Sequence, residues 1–355
     1  MPHTFSLPDY PVHLGPLEKA WHAWAQGRNP AQILILTDDN TRAHCLPLFL
    51  QQTGLPTDTP VVTIPPGEQH KTLATCERIW KAMFEARLDR QALIVNLGGG
   101  VIGDMGGFCA ATYKRGIDFV QVPTTLLAMT DAAIGGKLGI DFQGIKNAIG
   151  VFRNPAAVFI DPVFLQTLSA RERRSGFAEV IKHALIGAPA LWEKIKTLPA
   201  EALTDPAALS PADWLELLQA SVAVKVRVVT EDPLEKGLRA LLNFGHTVGH
   251  AVESYFMNGS DPLTHGEAVA IGMICEATGA AGPSGELVST VLRHFGRRPI
   301  PETAFPELWT LMLQDKKNAS GAVRVAVPGD KPFDLRLLEP TQAEIEKGLS
   351  YYNAL

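Results

Sequence analysis

The chain has 355 residues, too many for one ordinary core, so two domains are the expectation. A formal net charge of −5, with no basic tract interleaved with aromatics, argues against nucleic acid or an anionic membrane as a partner. No apolar run approaches the ~18 residues of a membrane span, and Met1 to Pro11 lacks a basic stretch followed by an apolar one, so no secretory signal is expected.

In chain order, Ile33-Leu34-Ile35-Leu36 is a short apolar run ending at Asp38-Asp39, and Val61-Val62-Thr63-Ile64 is a second, stopped by Pro65-Pro66-Gly67. Leu73, Cys76, Ile79, Trp80 and Met83 recur at helical spacing. Ala92 to Leu97, Phe119 to Val122 and Ala157 to Ile160 read as three more strands. Apolar strands alternating with helices predict a mostly parallel, Rossmann-like sheet covered on both faces. After Asp161-Pro162 the pattern turns helical, over 170–186, 210–230, 239–256 and 266–279. Ser210-Pro211 is an N-cap followed by proline at the first helical position. Val323 to Val327 reads as a short strand, and Thr341-Gln342-Ala343-Glu344 as a capping box opening the last helix. The predicted organisation is an α/β domain over 1–161 and an essentially all-helical domain over 162–355. Cys45, Cys76, Cys109 and Cys275 are far apart and form no CxxC, which fits buried, inert thiols in a reducing cytoplasm.

Gly98-Gly99-Gly100-Val101-Ile102-Gly103-Asp104 follows a predicted strand and opens a helix. Gly98, Gly100 and Gly103 satisfy GxGxxG, a spacing that brings backbone amides to a pyrophosphate at a helix N-terminus, as in NAD sites. The same spacing in isolation also serves a tight strand-to-helix turn. The loop follows the third predicted strand rather than the first, so an acidic partner for a ribose is sought upstream, at Asp38 or Glu68.

Glu179, His246 and His265 each sit in a small-residue frame, and one carboxylate with two imidazoles suits a catalytic zinc site with an open position. His246 and His250 are four apart and share a helix face, so spacing alone permits either or both as ligands. Gly245, Gly249 and Gly266 each cost a helix about 1 kcal/mol, which argues for close packing nearby. Arg115, Lys137, Lys146, Lys182, Lys225, Arg239 and Lys316 are unremarkable one by one. Lys137 nevertheless follows Gly135-Gly136, Lys146 precedes Asn147 in a turn-like stretch, and Lys182 lies one helical turn from Glu179. Together they suit an anionic substrate.

These frames resemble the 3-dehydroquinate synthases of the sugar-phosphate cyclase group, over motifs running from Gly67-Glu68 to Lys316. The carriers are the Gly98–Gly107 loop, Tyr113-Lys114-Arg115-Gly116, Pro123-Thr124-Thr125-Leu126-Leu127-Ala128, Gly135-Gly136-Lys137, Lys146-Asn147, Ala178-Glu179-Val180-Ile181-Lys182, Asn243 to His250, and His265-Gly266-Glu267. The resemblance implies an NAD-binding α/β domain, a helical metal domain, an active site in the cleft, and a homodimer. It gives Glu179, His246 and His265 to a zinc or cobalt ion. Gly98, Gly99, Gly100, Asp104, Thr124, Thr125, Asp131, Lys137, Lys146 and Thr167 fall at NAD positions, with Glu68 and Lys71 near the adenosine. Lys137, Asn147, Lys182, Lys225, Arg239, Asn243, His250 and Lys316 fall at substrate positions, and Arg115 is similar to an arginine reaching the neighbouring subunit's phosphate site.

The implied substrate is a phosphorylated sugar acid, 3-deoxy-D-arabino-heptulosonate 7-phosphate. The implied chemistry is transient oxidation by NAD, phosphate elimination, return of the hydride and aldol ring closure. Two segments depart from the family pattern: Asp131-Ala132-Ala133 replaces Asp-Ser-Ser, and Phe142-Gln143-Gly144-Ile145 replaces a His-Pro turn. The alternatives are another sugar-phosphate cyclase, whose basic set should differ, a metal-dependent NAD alcohol dehydrogenase, which would release NADH, and a non-catalytic NAD sensor.

Overall fold

The computed structural model describes residues 3–28, 30, 32–143, 145–205, 207–257, 259–280, 284–314 and 322–355. The chain divides into two compact units, Met1–Ser169 with Ser210–Val226, and Ala170–Leu209 with Arg227–Leu355. The division thus falls at Ser169 rather than near residue 161, and the first unit takes back a later helical segment.

The first unit contains β1 (His3–Ser6), β2 (Pro11–Leu14), α1 (Leu17–Ala25), β3 (Ile33–Asp38), α2 (Asp39–His44), α3 (Leu46–Thr53), β4 (Val61–Ile64), α4 (Leu73–Glu85), β5 (Leu93–Gly98), α5 (Gly100–Thr112), β6 (Asp118–Pro123), β7 (Lys137–Phe142), β8 (Ile145–Phe152) and β9 (Ala157–Ile160). Seven strands form one sheet in the order β1-β2-β9-β6-β5-β3-β4. Every neighbouring pair is parallel except β1–β2. The five strands expected from apolar runs are present within a residue or two. Apart from the half-buried edge strand β4, they are largely buried on both faces, which is why they read as continuous apolar stretches. One face packs Leu34, Leu36 and Ile94 against Ile79, Met83 and Met105 of α4 and α5. On α1, Trp21 meets Phe49 and Phe159 at 5.6 and 5.5 Å between ring centroids.

In the first unit four strands escaped the sequence, β1, β2, β7 and β8. β1 is an exposed edge with almost nothing to bury. β7 and β8 form a separate antiparallel hairpin with β8 largely exposed. Lys146 and Asn147 therefore stand in a strand, not a turn, although Asn147 itself has φ +50°.

The second unit is built from α6 (Ala170–Gly187), α7 (Pro189–Thr197), α9 (His246–Phe256), α10 (His265–Ala280), α11 (Gly285–Phe295), α12 (Phe305–Leu313) and α13 (Gln342–Ala354), while α8 (Pro211–Glu231) spans the division. It is not all-helical: β10 (Val325–Pro328) and β11 (Leu335–Leu338) form a hairpin. The helix expected over 239–256 is broken. A 3₁₀ turn covers Leu238–Asn243, and Gly245 has φ +80° before α9 begins. The capping box at Thr341 and Glu344 is formed as expected. Among the described residues no helix is long and apolar enough to cross a membrane.

Candidate active site

In the first unit the glycine loop turns directly from β5 into α5, with Gly99 at the N-cap. β4 lies on one side of β3 and β5 on the other, so the carboxyl ends of β3 and β5 flank the point where strand order reverses, where open α/β sheets bind ligands. Counting β1 and β2, the loop follows the fifth strand, not the third. Gly98, Gly99, Gly100 and Gly103 line a recess with Gln121, Pro123, Ala128, Ala132 and Ala133. The two alanines that replace the family's serines thus face this recess. Ala128–Ala132 forms a π-helical turn, a rare geometry associated with functional sites. Thr124 is buried and donates its N–H to Gly98, and Thr125 Oγ accepts from Ala128 N. Thr167 lies against Cys45.

A charged group sits beside this recess. The buried Lys71 donates to Asp104 Oδ2 at 2.6 Å and to Asn147 Oδ1 at 2.5 Å, with Glu68 at 3.6 Å. Burial pushes the Asp104 carboxyl up to about 6 despite Lys71. Asp38 caps α2, its Oδ1 accepting from Thr41 N at 2.7 Å. Asp131 pairs with the buried Lys225 at 2.5 Å. Lys137 opens β7 and is exposed, and Lys146 is half-buried on β8. Arg115 is exposed with φ +71°, next to Lys114 at φ +49°. Left-handed backbone at two successive non-glycine residues is strained. Gly144 and Lys316 lie outside the described residues.

In the second unit α6, α9 and α10 bring the candidate ligands together. Glu179 and Lys182 are both 0% exposed. The Glu179 carboxylate is divided in its use: Oε2 is paired with Lys182 Nζ, whereas Oε1 lies 3.5 Å from His246 Nε2 and 4.0 Å from His265 Nε2. Oε1 has no hydrogen-bond partner among the described residues. His246 Nδ1 lies 3.2 Å from Phe244 O, and His265 Nδ1 lies 3.3 Å from Glu253 Oε2. An Nδ1–H donated to each acceptor places the lone pair on Nε2, on the side of Glu179 Oε1. These residues fit a divalent metal: two imidazole nitrogens and one buried carboxylate oxygen without a donor.

His250 is also near, its ring 5.2 Å from His246 and 5.7 Å from His265. The ligand atoms of all three histidines lie within 4.8 Å of one another. Burial opposes a charge on His265, but Glu253, and then Glu179, outweigh it and hold its pKa above the ordinary value.

Arg239 is buried, its side chain donating to Pro233 O at 2.7 Å and its N–H to Asp232 Oδ2. Asn243 donates to Glu235 Oε1 at 3.0 Å. Glu235, Glu253 and Glu276 were not singled out from sequence. A glutamate in a helical stretch looks like solvated surface, and only its partner in space marks it otherwise. The costly glycines pack backbone on backbone rather than around an ion: a Cβ on Gly266 would lie 1.9 Å from Ser175 O, and one on Gly249 3.0 Å from Ala268 O.

Comparison with known proteins agrees over most of the chain. The family models described as 3-dehydroquinate synthase N-terminal and 3-dehydroquinate synthase C-terminal match residues 61–175 and 176–318. The 3-dehydroquinate synthase of Halorhodospira halophila is 44% identical over 295 residues, covering 79% of this chain and 80% of that protein. That of Parabacteroides distasonis is 38% identical over 330 residues, covering 90% and 91%. Among solved structures, the 2-epi-5-epi-valiolone synthase ValA of Streptomyces hygroscopicus subsp. jinggangensis, with NAD+ and Zn2+ bound, is 28% identical with a TM-score of 0.83, covering 99% of each chain. A 2-deoxy-scyllo-inosose synthase in complex with carbaglucose-6-phosphate, NAD+ and Co2+ is 23% identical with a TM-score of 0.80, covering 99% of each chain, and shares the fold. The chain belongs to the 3-dehydroquinate synthase family.

Proposed function

We propose that this 3-dehydroquinate synthase converts 3-deoxy-D-arabino-heptulosonate 7-phosphate to 3-dehydroquinate and phosphate with NAD held by its first unit and one divalent ion, zinc or cobalt, held by Glu179, His246 and His265. The observation that carries this reading is Glu179 Oε1, buried, without a donor, and facing the Nε2 atoms of two imidazoles at 3.5 and 4.0 Å. ValA, with NAD+ and Zn2+, and the inosose synthase, with NAD+, Co2+ and a carba-sugar phosphate, support the same pairing of cofactor and metal here.

When bound, the metal supplies a Lewis acid and NAD a reversible hydride acceptor. Glu253 and the Phe244 carbonyl hold the two imidazoles in the tautomer that binds. Lys182 remains on the other oxygen of Glu179 and offsets its charge. Arg239, anchored by Pro233, and Asn243, anchored by Glu235, present fixed donors to the anionic substrate with little reorganisation. Lys137, Lys225, Asn147 and Lys316 fall at substrate positions by the family resemblance. His250 stands one helical turn from His246 and moves a proton on the substrate. The Lys71–Asp104 pair with Glu68, Asp38, Thr124, Thr125, Asp131, Lys146 and Thr167 line the dinucleotide side, with Gly98, Gly99 and Gly100 admitting the pyrophosphate.

A homodimer fits the hairpin of β7 and β8, which leaves Ile145 55% and Phe152 59% exposed, a patch suited to a second copy. Arg115, exposed on its strained turn, is then available to the partner's phosphate site. Four free, buried cysteines support a cytoplasmic location.

The test is phosphate release with NAD far below substrate. Many phosphates per NAD, no growth of NADH absorbance, and loss of turnover with a chelator are expected. NADH accumulating in step with product would overturn the reading in favour of a dehydrogenase.

A further inference from the structure

We infer that Glu276 is a positioning residue for the metal site, acting through the start of α9; this rests on the metal reading above. The first N–H groups of any helix lack partners within it. At α9 the N-cap is Gly245, which has no side chain to supply one. Glu276, on α10 and 1% exposed, takes that place: its Oε2 accepts from Gly245 N at 2.7 Å and its Oε1 from Val248 N at 2.9 Å. One buried carboxylate thus grips the first turn of α9 on either side of His246. It also places negative charge at the positive end of the helix dipole.

The grip has direction. α10 carries His265 at its first residue, so Glu276 ties the helix bearing His246 to the helix bearing His265. The two backbones touch at the same place. A Cβ on Gly272 would lie 1.9 Å from Gly245 O, and one on Gly245 would lie 2.6 Å from Met273 Cγ. With no slack at this crossing, the two hydrogen bonds fix the rotation of the first turn, and so the direction of His246 Nε2. His250, one turn further on, is set by the helix body and depends on them less. A carboxylate buried only to fill space is unfavourable. Glu276 is offset by these backbone donors, and their location is what gives it a role in the site.

The experiment is equilibrium titration of metal-stripped, full-length protein with cobalt(II). It is read by the visible absorption of the bound ion and by chelator competition, in wild type, Glu276→Gln, Glu276→Asp and Ile345→Ala. A glutamine keeps one acceptor and turns an NH₂ towards the other N–H. Glu276→Gln should weaken cobalt binding roughly 10–100-fold, the range seen when groups supporting metal ligands are removed, and alter the absorption envelope. Glu276→Asp, which keeps the carboxylate, should fall between. Ile345→Ala destabilises the same unit through the buried face of α13 and should leave affinity and spectrum unchanged. Wild-type affinity and spectrum in Glu276→Gln, or equal weakening in Ile345→Ala, would overturn the inference. If Glu276→Gln fails to fold, Glu276→Asp is read against Ile345→Ala by the same criteria. A wild type that takes up no cobalt would overturn the metal reading itself, and this inference with it.

Discussion

The glycine-loop side of the first unit and the proposed metal corner of the second are built from different parts of the chain. The first uses backbone: β5 stops, Gly98 to Gly100 leave room, and α5 opens beside the recess with no side-chain cap. The second uses side chains: Glu179 from α6, His246 from α9 and His265 from α10, held by Lys182, Glu253 and Glu276. Removing space damages a backbone site. Removing charge damages a side-chain site, because each buried ion there is held by another.

The sharpest way to separate the two is Lys182→Met. It leaves the Glu179 carboxylate buried without its cation, and breaking a buried pair in this way costs about 3–5 kcal/mol. The metal-free variant should melt well below wild type. Added zinc should recover more stability in the variant than in wild type, since the ion replaces the missing positive charge. Melting curves with and without zinc decide it, and equal zinc effects in both proteins would break the comparison.

Gly100→Ala probes the backbone site. A Cβ there would lie 3.6 Å from Ala132 Cβ, an ordinary contact, so the fold should tolerate it. It nevertheless fills part of the recess. NAD should bind about tenfold more weakly, ~1.4 kcal/mol, with melting temperature unchanged or slightly raised, because alanine favours the helix. Calorimetric titration with NAD checks this, and unaltered affinity would show that the loop does not approach the dinucleotide.

The smallest effect lies away from both sites. His294 is buried against Phe177, with neither ring nitrogen hydrogen-bonded among the described residues. Burial, aided by Arg293, lowers its pKa to about 4. The unfolded chain takes up this proton near pH 6.5 and the folded chain only near 4, so stability is full above 6.5 and declines as pH falls through that window. His294→Leu should flatten the acid limb of melting temperature against pH. An unchanged slope would contradict the assignment.

The same contrast explains what the sequence made legible. The glycine loop is contiguous, and its geometry follows from residues within one turn of each other. The five strands were clear because each carries an apolar run, and all but the edge strand β4 are largely buried on both faces. β1 and β8 were hidden because exposed strands need no apolar pattern. The break at Gly245 was hidden for another reason: Glu276, 31 residues away, takes the N–H that makes the new helix start possible. For the proposed metal corner, residue types and small-residue frames pointed to candidate ligands, and the resemblance preferred His246 over His250. The supporting glutamates could not be read, because nothing local distinguishes Glu253 or Glu276 from a surface glutamate.

The most direct test of the account is metal content in purified His246→Ala and His250→Ala proteins, measured beside NAD affinity and turnover. His246→Ala should lose the metal, with activity falling as a consequence. His250→Ala should keep near-normal metal and NAD while losing roughly 10²-fold or more in rate, the scale of a lost acid–base group. Equal metal loss in the two variants would make His250 a ligand and contradict the division of roles proposed here.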